Sequence, residues 1–181
     1  MLTHVMLDTE TWGLTPGSHL RSIGAVEFKP EEGALGAKFY ANVASQPGYG
    51  LMSDASTREW WAQQSHDARK QLEHKQLDLL IALKRFGVWL ASLREDQTQL
   101  RIWAHGPQFD CSIVDAAYRA VGLPVPWHYR SPRDCRTILE AAGMDPTSDF
   151  PPIGTEHNAL DDAVSQALGV MEAFHRLKVQ A

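Results

Sequence analysis

A short apolar run, His4-Val5-Met6-Leu7, passes directly into Asp8-Thr9-Glu10. Apolar runs of this length read as buried strands, and a buried strand ending in charge has to end at a rim where the charge is solvated or paired. Residues two apart on a strand share a face, so Asp8 and Glu10 converge while Thr9 points away. Two adjacent carboxylates repel each other. Water relieves that cost at an ordinary strand end, and a divalent cation with hard oxygen ligands relieves it at a metal site. The motif alone leaves both readings open.

The following chain alternates accordingly. Ile23–Phe28 reads as a second strand, Lys29-Pro30-Glu31-Glu32-Gly33 as a turn, and Lys38–Val43 as a third strand. Such short connections predict an antiparallel meander of three strands. A helix start is expected at Ser56-Thr57-Arg58-Glu59. Leucines, Phe86 and Val88 recur at helical spacing from Leu72 to Leu93, which predicts a single helix there. Leu100–Ala104 reads as a further strand and His105-Gly106-Pro107 as a turn. Phe109–Val121 reads as a helix stopped by Gly122. Another helix is expected from Ser131 or Pro132 to Gly143, then a loop over Asp145–Thr155 and a last helix from Asn158 to about Lys178. This order predicts an α/β fold, a mixed central sheet in which parallel strands join the meander, flanked by helices. The 181 residues contain no repeat and no linker-like stretch, so one domain, 1–181, is expected.

Composition narrows the function classes. The net charge of −5 argues against coating nucleic acid by bulk electrostatics, so any phosphate-binding surface has to be local. No apolar run approaches the roughly 18 residues that span a bilayer, and no membrane partner is expected. The first residues lack the basic and apolar regions of a secretory signal. Cys111 and Cys135 are far apart, which excludes a disulfide scaffold or a cysteine zinc site and fits a reducing cytoplasm.

Two more clusters carry chemistry. In His157-Asn158-Ala159-Leu160-Asp161-Asp162, Asn158 suits a helix N-cap, and Asp161 three residues on completes a capping-box-like arrangement. That leaves Asp162 as the better ligand candidate, with His157 just outside the helix. In His105-Gly106-Pro107-Gln108-Phe109-Asp110 a strand ends, the chain turns, and an acid sits at a helix start, where acids are also frequent for structural reasons. Together the clusters supply the inventory for two-metal phosphodiester hydrolysis, with two cations about 4 Å apart and a histidine able to take a proton from water.

The set Asp8-Thr9-Glu10, Asp110 and His157…Asp162 resembles the DEDDh 3′–5′ exonucleases of the DnaQ-like family, on a ribonuclease H-like fold. DTETWGL followed by SIGAVEF is similar to that family's first motif and second strand. HGPQFD is similar to its second motif, and HNALDDA to its third, H-x-A-x-x-D. The resemblance runs from residue 3 to about 170 and is greatest to small stand-alone bacterial and phage 3′–5′ exoribonucleases and the phage exodeoxyribonuclease A type. It implies Asp8, Glu10, Asp110 and Asp162 as ligands of two Mg2+ or Mn2+ ions and His157 as general base, with nucleoside 5′-monophosphates as products.

The same resemblance implies that Thr9, Thr11, Trp12, Gly13 and Leu14, with Trp61 and His157, meet the 3′-terminal nucleotide. Packing over the core is an equal alternative for Trp12. Of Trp60 and Trp61 one is expected in the core and the other as a lid or interface residue, since neighbouring helix positions face different ways. Arg130, Arg133 and Arg136 recur near helical spacing and form either a phosphate-binding row or a solvated face. A homodimer is implied by the resemblance. RNA 3′ ends, as single strands or overhangs, are the expected substrate. DNA 3′ ends are the alternative, and a nucleic-acid-binding module without turnover is the alternative from another class.

Overall fold

The computed structural model describes residues 2–145, 148 and 153–179. Strands β1 (Thr3–Thr11), β2 (Leu20–Lys29) and β3 (Ala34–Asn42) form the expected antiparallel meander. Then follow α1 (Ala55–Gln63), α2 (His66–Gln71), α3 (Leu79–Leu93), β4 (Leu100–Ala104) and α4 (Asp110–Ala120). A short β5 (Pro132–Asp134), α5 (Cys135–Ala141) and α6 (Ala159–Val179) complete the order. The sheet runs β3-β2-β1-β4-β5, with β4 parallel to both β1 and β5. Among the described residues no helix is long and apolar enough to cross a membrane.

β1 is central because both of its faces are apolar. Val5 and Leu7 pack with Leu83, Phe86, Ile113 and Val114, the buried stripes of α3 and α4. Met6, one residue out of phase, packs on the other face with Ala163, Ala167, Val170 and Leu139 of α6 and α5. The alternation continues past the apolar run, so Asp8 and Glu10 are carried to the α6 face and Thr9 to the α4 face. Gly24 sits opposite Asp8 on β2. A Cβ there would lie 2.1 Å from the carbonyl carbon of Ala159, so the absent side chain is what lets the start of α6 close onto the sheet beside the acids.

Two expectations need correcting. The helix expected over Leu72–Leu93 is interrupted. Leu77 instead bridges Val43, with its N–H donating to the Asn42 carbonyl at 2.8 Å. Asp78 then starts α3 by accepting from the N–H groups of Leu80 and Ile81 at 2.8 and 3.4 Å. The helix expected from Ser131 or Pro132 begins only at Cys135. Pro132–Asp134 is an edge strand, where a proline costs no ladder bond, and the Asp134 carboxylate caps α5 by accepting from the Arg136 N–H at 2.9 Å. α5 ends at Ala141, and Gly143, the expected stop, follows two residues on with φ +68°. Of the expected loop over Asp145–Thr155, residues 146, 147 and 149–152 lie outside the described residues.

Candidate active site

The carboxyl end of β1, the first turn of α4 and the first turn of α6 meet at one point. Glu10 and Asp110 are buried, at 8% and 3% exposure, while Asp8 and Asp162 keep part of their surface open to the cleft. Asp110 is anchored across the sheet end, its Oδ1 accepting from the Thr9 N–H at 3.0 Å and from the Thr9 hydroxyl at 2.8 Å. Asp8 Oδ1 accepts from Gln166 Nε2 at 2.8 Å. One ligand atom each from Glu10, His157 and Asp162 lie within 4.8 Å of one another.

The third cluster is shaped by capping. Asn158 Oδ1 accepts from the N–H groups of Leu160 and Asp161 at 3.0 and 3.2 Å, so Asn158 caps α6 as expected. Asp161, however, does not reach back to the Asn158 N–H. Its carboxylate accepts from the Thr155 N–H at 2.8 Å, against Gly154, where a Cβ would collide with it at 2.3 Å. His157 takes a left-handed backbone, φ +63°, uncommon for non-glycine residues in general although histidine is among those that adopt it most often. That turn sets its ring edge-on to Trp60 and Trp61, with centroids 4.9 and 5.9 Å away.

The electrostatics are those of a buried acid cluster only partly offset by cations, the Arg21 charge favouring ionised Glu10 and the Arg136 charge favouring ionised Asp110. Burial, then the neighbouring carboxylates, push Asp8 and Glu10 well above the ordinary range, with Arg21 pulling Glu10 back in part. Burial raises Asp110 to about 7 and Asp162 to about 6. Such a set of hard oxygen donors fits one or more divalent cations such as Mg2+ or Mn2+, whose charge would favour the ionised form of these buried acids. Burial and the Arg136 guanidinium lower His105 below its ordinary value.

Beside the acids lies an apolar cavity of about 420 Å³, walled by Leu14, Phe109, Trp60 and Trp61, with Glu10 and Thr11 at its floor. Trp61 is core and Trp60 is 43% exposed, the division expected of the pair. Leu14 projects into the cleft. The other candidates near it have their groups committed elsewhere. The Thr9 hydroxyl serves Asp110, the Thr11 hydroxyl donates to the Gly13 carbonyl at 2.7 Å, and the Thr11 carbonyl accepts from Trp61 Nε1 at 2.9 Å. Gly13 is packed where a Cβ would lie 2.5 Å from Ser18 Oγ. Trp12 stands outside the cavity lining, with the Arg21 guanidinium 3.9 Å over its ring and 4.2 Å over that of Trp61.

The arginine row does not form. Arg130 is in a loop, with Nε donating to the Tyr129 hydroxyl at 2.8 Å, and Arg133 is on β5 donating to the carbonyls of Arg130 and Pro132. Gln166 and Phe109 join the site without a motif of their own in the sequence. Gln166 lies four residues after Asp162 on α6 and so shares its face, a spacing that could have found it. Phe109 directly precedes Asp110.

A profile of the 3′–5′ exoribonuclease Rv2179c-like domain matches residues 3–174. The chain belongs to this family. It therefore carries a 3′–5′ exonuclease domain. No curated protein matches it in sequence. Among solved structures, the Rv2179c-like chain is similar to the nuclease domain of 3′hExo, a DEDDh family member bound to rAMP. That match has TM-score 0.59 and 16% identity, over 98% of this chain and 92% of that one. It is also similar to the cell-death related nuclease CRN-4, at TM-score 0.61 and 12% identity, over 94% of this chain and 62% of that one. E. coli exonuclease I in complex with a dT13 oligonucleotide matches at TM-score 0.68 and 13% identity, over 99% of this chain. This chain thus spans 62% of CRN-4 and 42% of exonuclease I. At such identities the likeness is one of fold, and that fold is ribonuclease H-like.

Proposed function

We propose that this chain hydrolyses the 3′-terminal phosphodiester of RNA, on single strands or 3′ overhangs, and releases nucleoside 5′-monophosphates. The observation that carries the reading is the convergence of Asp8, Glu10, Asp110, Asp162 and His157 at one sheet end of an Rv2179c-like domain. The choice of RNA over DNA rests on the description of that family.

Asp8, Glu10, Asp110 and Asp162 would hold two Mg2+ or Mn2+ ions. When bound, these would neutralise the phosphate and lower the pKa of the attacking water. The base of the terminal nucleotide fits the apolar cavity, between Leu14 and Phe109 on one side and Trp60 and Trp61 on the other. His157 takes the proton of the attacking water at an imidazole nitrogen, its ring steadied by the two tryptophans. The water oxygen bonds to phosphorus, the P–O3′ bond breaks, and the O3′ of the shortened strand takes a proton from solvent, to which His157 gives up the proton it removed. A homodimer and a cytoplasmic setting, in keeping with two free, buried cysteines, complete the proposal.

The test is a time course with RNA and DNA oligonucleotides labelled at either end, in Mg2+ or Mn2+. The expected result is a ladder shortening from the 3′ end, faster for RNA, absent in chelator and in Asp8→Ala. Faster loss of DNA would reverse the sugar assignment. Metal-dependent binding with no hydrolysis would replace the enzyme with a binding module.

A further inference from the structure

The apolar cavity accounts for one nucleotide, and the rest of the strand has to leave on the other side of the acids. A second cavity, of about 440 Å³, opens there. Thr9, Leu14 and Phe109 line both cavities and so lie between them. Asp8 and Asp110 contribute to the second, and His105, Gly106, Gln108 and Arg136 complete it.

This side presents a charge problem. A strand leaving it carries a phosphodiester past Asp8 and Asp110 in a chain of net charge −5. Cations held by the acids would offset the scissile phosphate, and the next phosphate in the 5′ direction needs its own counter-charge. Of the three arginines in this segment, Arg130 and Arg133 are tied to Tyr129 and to backbone carbonyls, whereas Arg136 lines the cavity.

The placement of Arg136 is specific. Its guanidinium lies against Gly106, where a Cβ would be 2.6 Å from Nη2, so the second-motif glycine makes room for it. Its side chain is 47% exposed, and Nε is 3.6 Å from Asp134 Oδ1, an oxygen already accepting the Arg136 backbone N–H at 2.9 Å. At 3.6 Å the pair orients the guanidinium without consuming a short hydrogen bond. The planar fork is left facing a cavity the size of a nucleotide, and guanidinium forks suit phosphate.

We propose that Arg136, seated on Gly106, binds the phosphodiester immediately 5′ of the scissile bond and so sets the preference for substrates longer than a dinucleotide. The inference rests on the exonuclease reading above and adds a subsite to it.

The test is a length series. A dinucleoside monophosphate contains the scissile phosphate alone, and a trinucleoside diphosphate adds the phosphate assigned to Arg136. Arg136→Gln is expected to raise KM for the trinucleotide and longer strands about 10-fold or more, at nearly unchanged kcat, and to leave the dinucleotide unaffected. Arg136→Lys, which keeps charge and loses the fork, should recover part of the loss. Gly106→Ala, with Arg136 intact, should reproduce it by displacing the guanidinium. The salt dependence of KM for the longer strands should flatten in Arg136→Gln. Equal losses on dinucleotide and trinucleotide, or no loss on either, would overturn the subsite. If the wild type cleaves none of them, the hydrolase reading falls. Anisotropy of a fluorescent trinucleotide then decides the subsite alone, and equal affinity of wild type and Arg136→Gln overturns it.

Discussion

The acid cluster has two halves that are held in different ways. Asp8, Glu10 and Asp110 belong to the sheet and α4, where Val5, Met6 and Leu7 beneath them are fully buried and Thr9 bonds Asp110 directly. His157 and Asp162 hang on the mouth of α6, where position depends on a cap, a left-handed histidine and a glycine that accommodates Asp161. The first half is placed by strand alternation and core packing, and the second by local hydrogen bonds at a helix end. Strain and local stability thus concentrate their influence on the side that carries the candidate base.

The largest effects should come from breaking either half outright. Asp8→Ala and Asp162→Ala are each expected to reduce hydrolysis of labelled oligonucleotide to background. His157→Ala is expected to lose about 10²–10⁴-fold in kcat while still binding Mn2+ by calorimetry. Loss of Mn2+ binding in His157→Ala would move the histidine from the base to the ligand set, which its position near Glu10 and Asp162 also permits.

A finer comparison uses the partners behind the acids. Gln166→Leu removes the amide that donates to Asp8, while Thr9→Val removes the hydroxyl and leaves the Thr9 N–H on Asp110. Substitutions behind metal ligands typically cost about 10–100-fold in metal affinity or activity. Gln166→Leu should fall in that range and Thr9→Val below it, as measured by Mn2+ titration of activity. The reverse order would mean that Asp110, not Asp8, depends more on its side-chain partner.

What could be read from sequence follows the same division. The convergence of Asp8 and Glu10 needs only the two-residue period of a strand, and the Asn158 cap needs only its neighbours, so both were legible. The break between Leu72 and Leu79 was not, because it depends on Leu77 bridging Val43 across more than thirty positions. β5 is three residues with a leading proline, a pattern that looks like a helix start until β4 is beside it. For Trp12 the motif leaves substrate contact and core packing equally open, and the Arg21 guanidinium over its ring comes from the β1–β2 hairpin, which pairs Thr11 with Leu20.

Acidity separates the halves in another way. In the folded, metal-free protein Asp110 and Asp162 keep their protons up to about 7 and 6, whereas the unfolded chain releases them near the ordinary value of about 4. The folded state therefore binds more protons in this window, and its stability falls as pH rises from about 4 through 7. The melting temperature of chelator-treated protein should decline over that range, while the stabilisation by added Mn2+ grows as the acids become free to bind it. A melting temperature that rises from pH 5 to 7 would show that other groups outweigh the cluster.

The smallest expected effect discriminates best between two neighbouring residues. Asp161 and Asp162 are adjacent acids in the first turn of α6, and both sit where the helix dipole favours negative charge. The Asp161 carboxylate is turned away from the cluster and accepts from the Thr155 N–H, whereas Asp162 faces Glu10 and His157. Asp161→Ala should therefore lower stability by about 1 kcal/mol, as for loss of a cap, and loosen the turn that precedes His157. Its kcat should drop modestly, through the His157 position, with Mn2+ affinity unchanged. Because Asp161 touches none of the acids, a large loss of Mn2+ affinity in Asp161→Ala would mean that the first turn of α6 rotates when metal binds. The metal-bound arrangement would then differ from the metal-free one by about 100° about the helix axis, the angle between successive residues on a helix of 3.6 residues per turn.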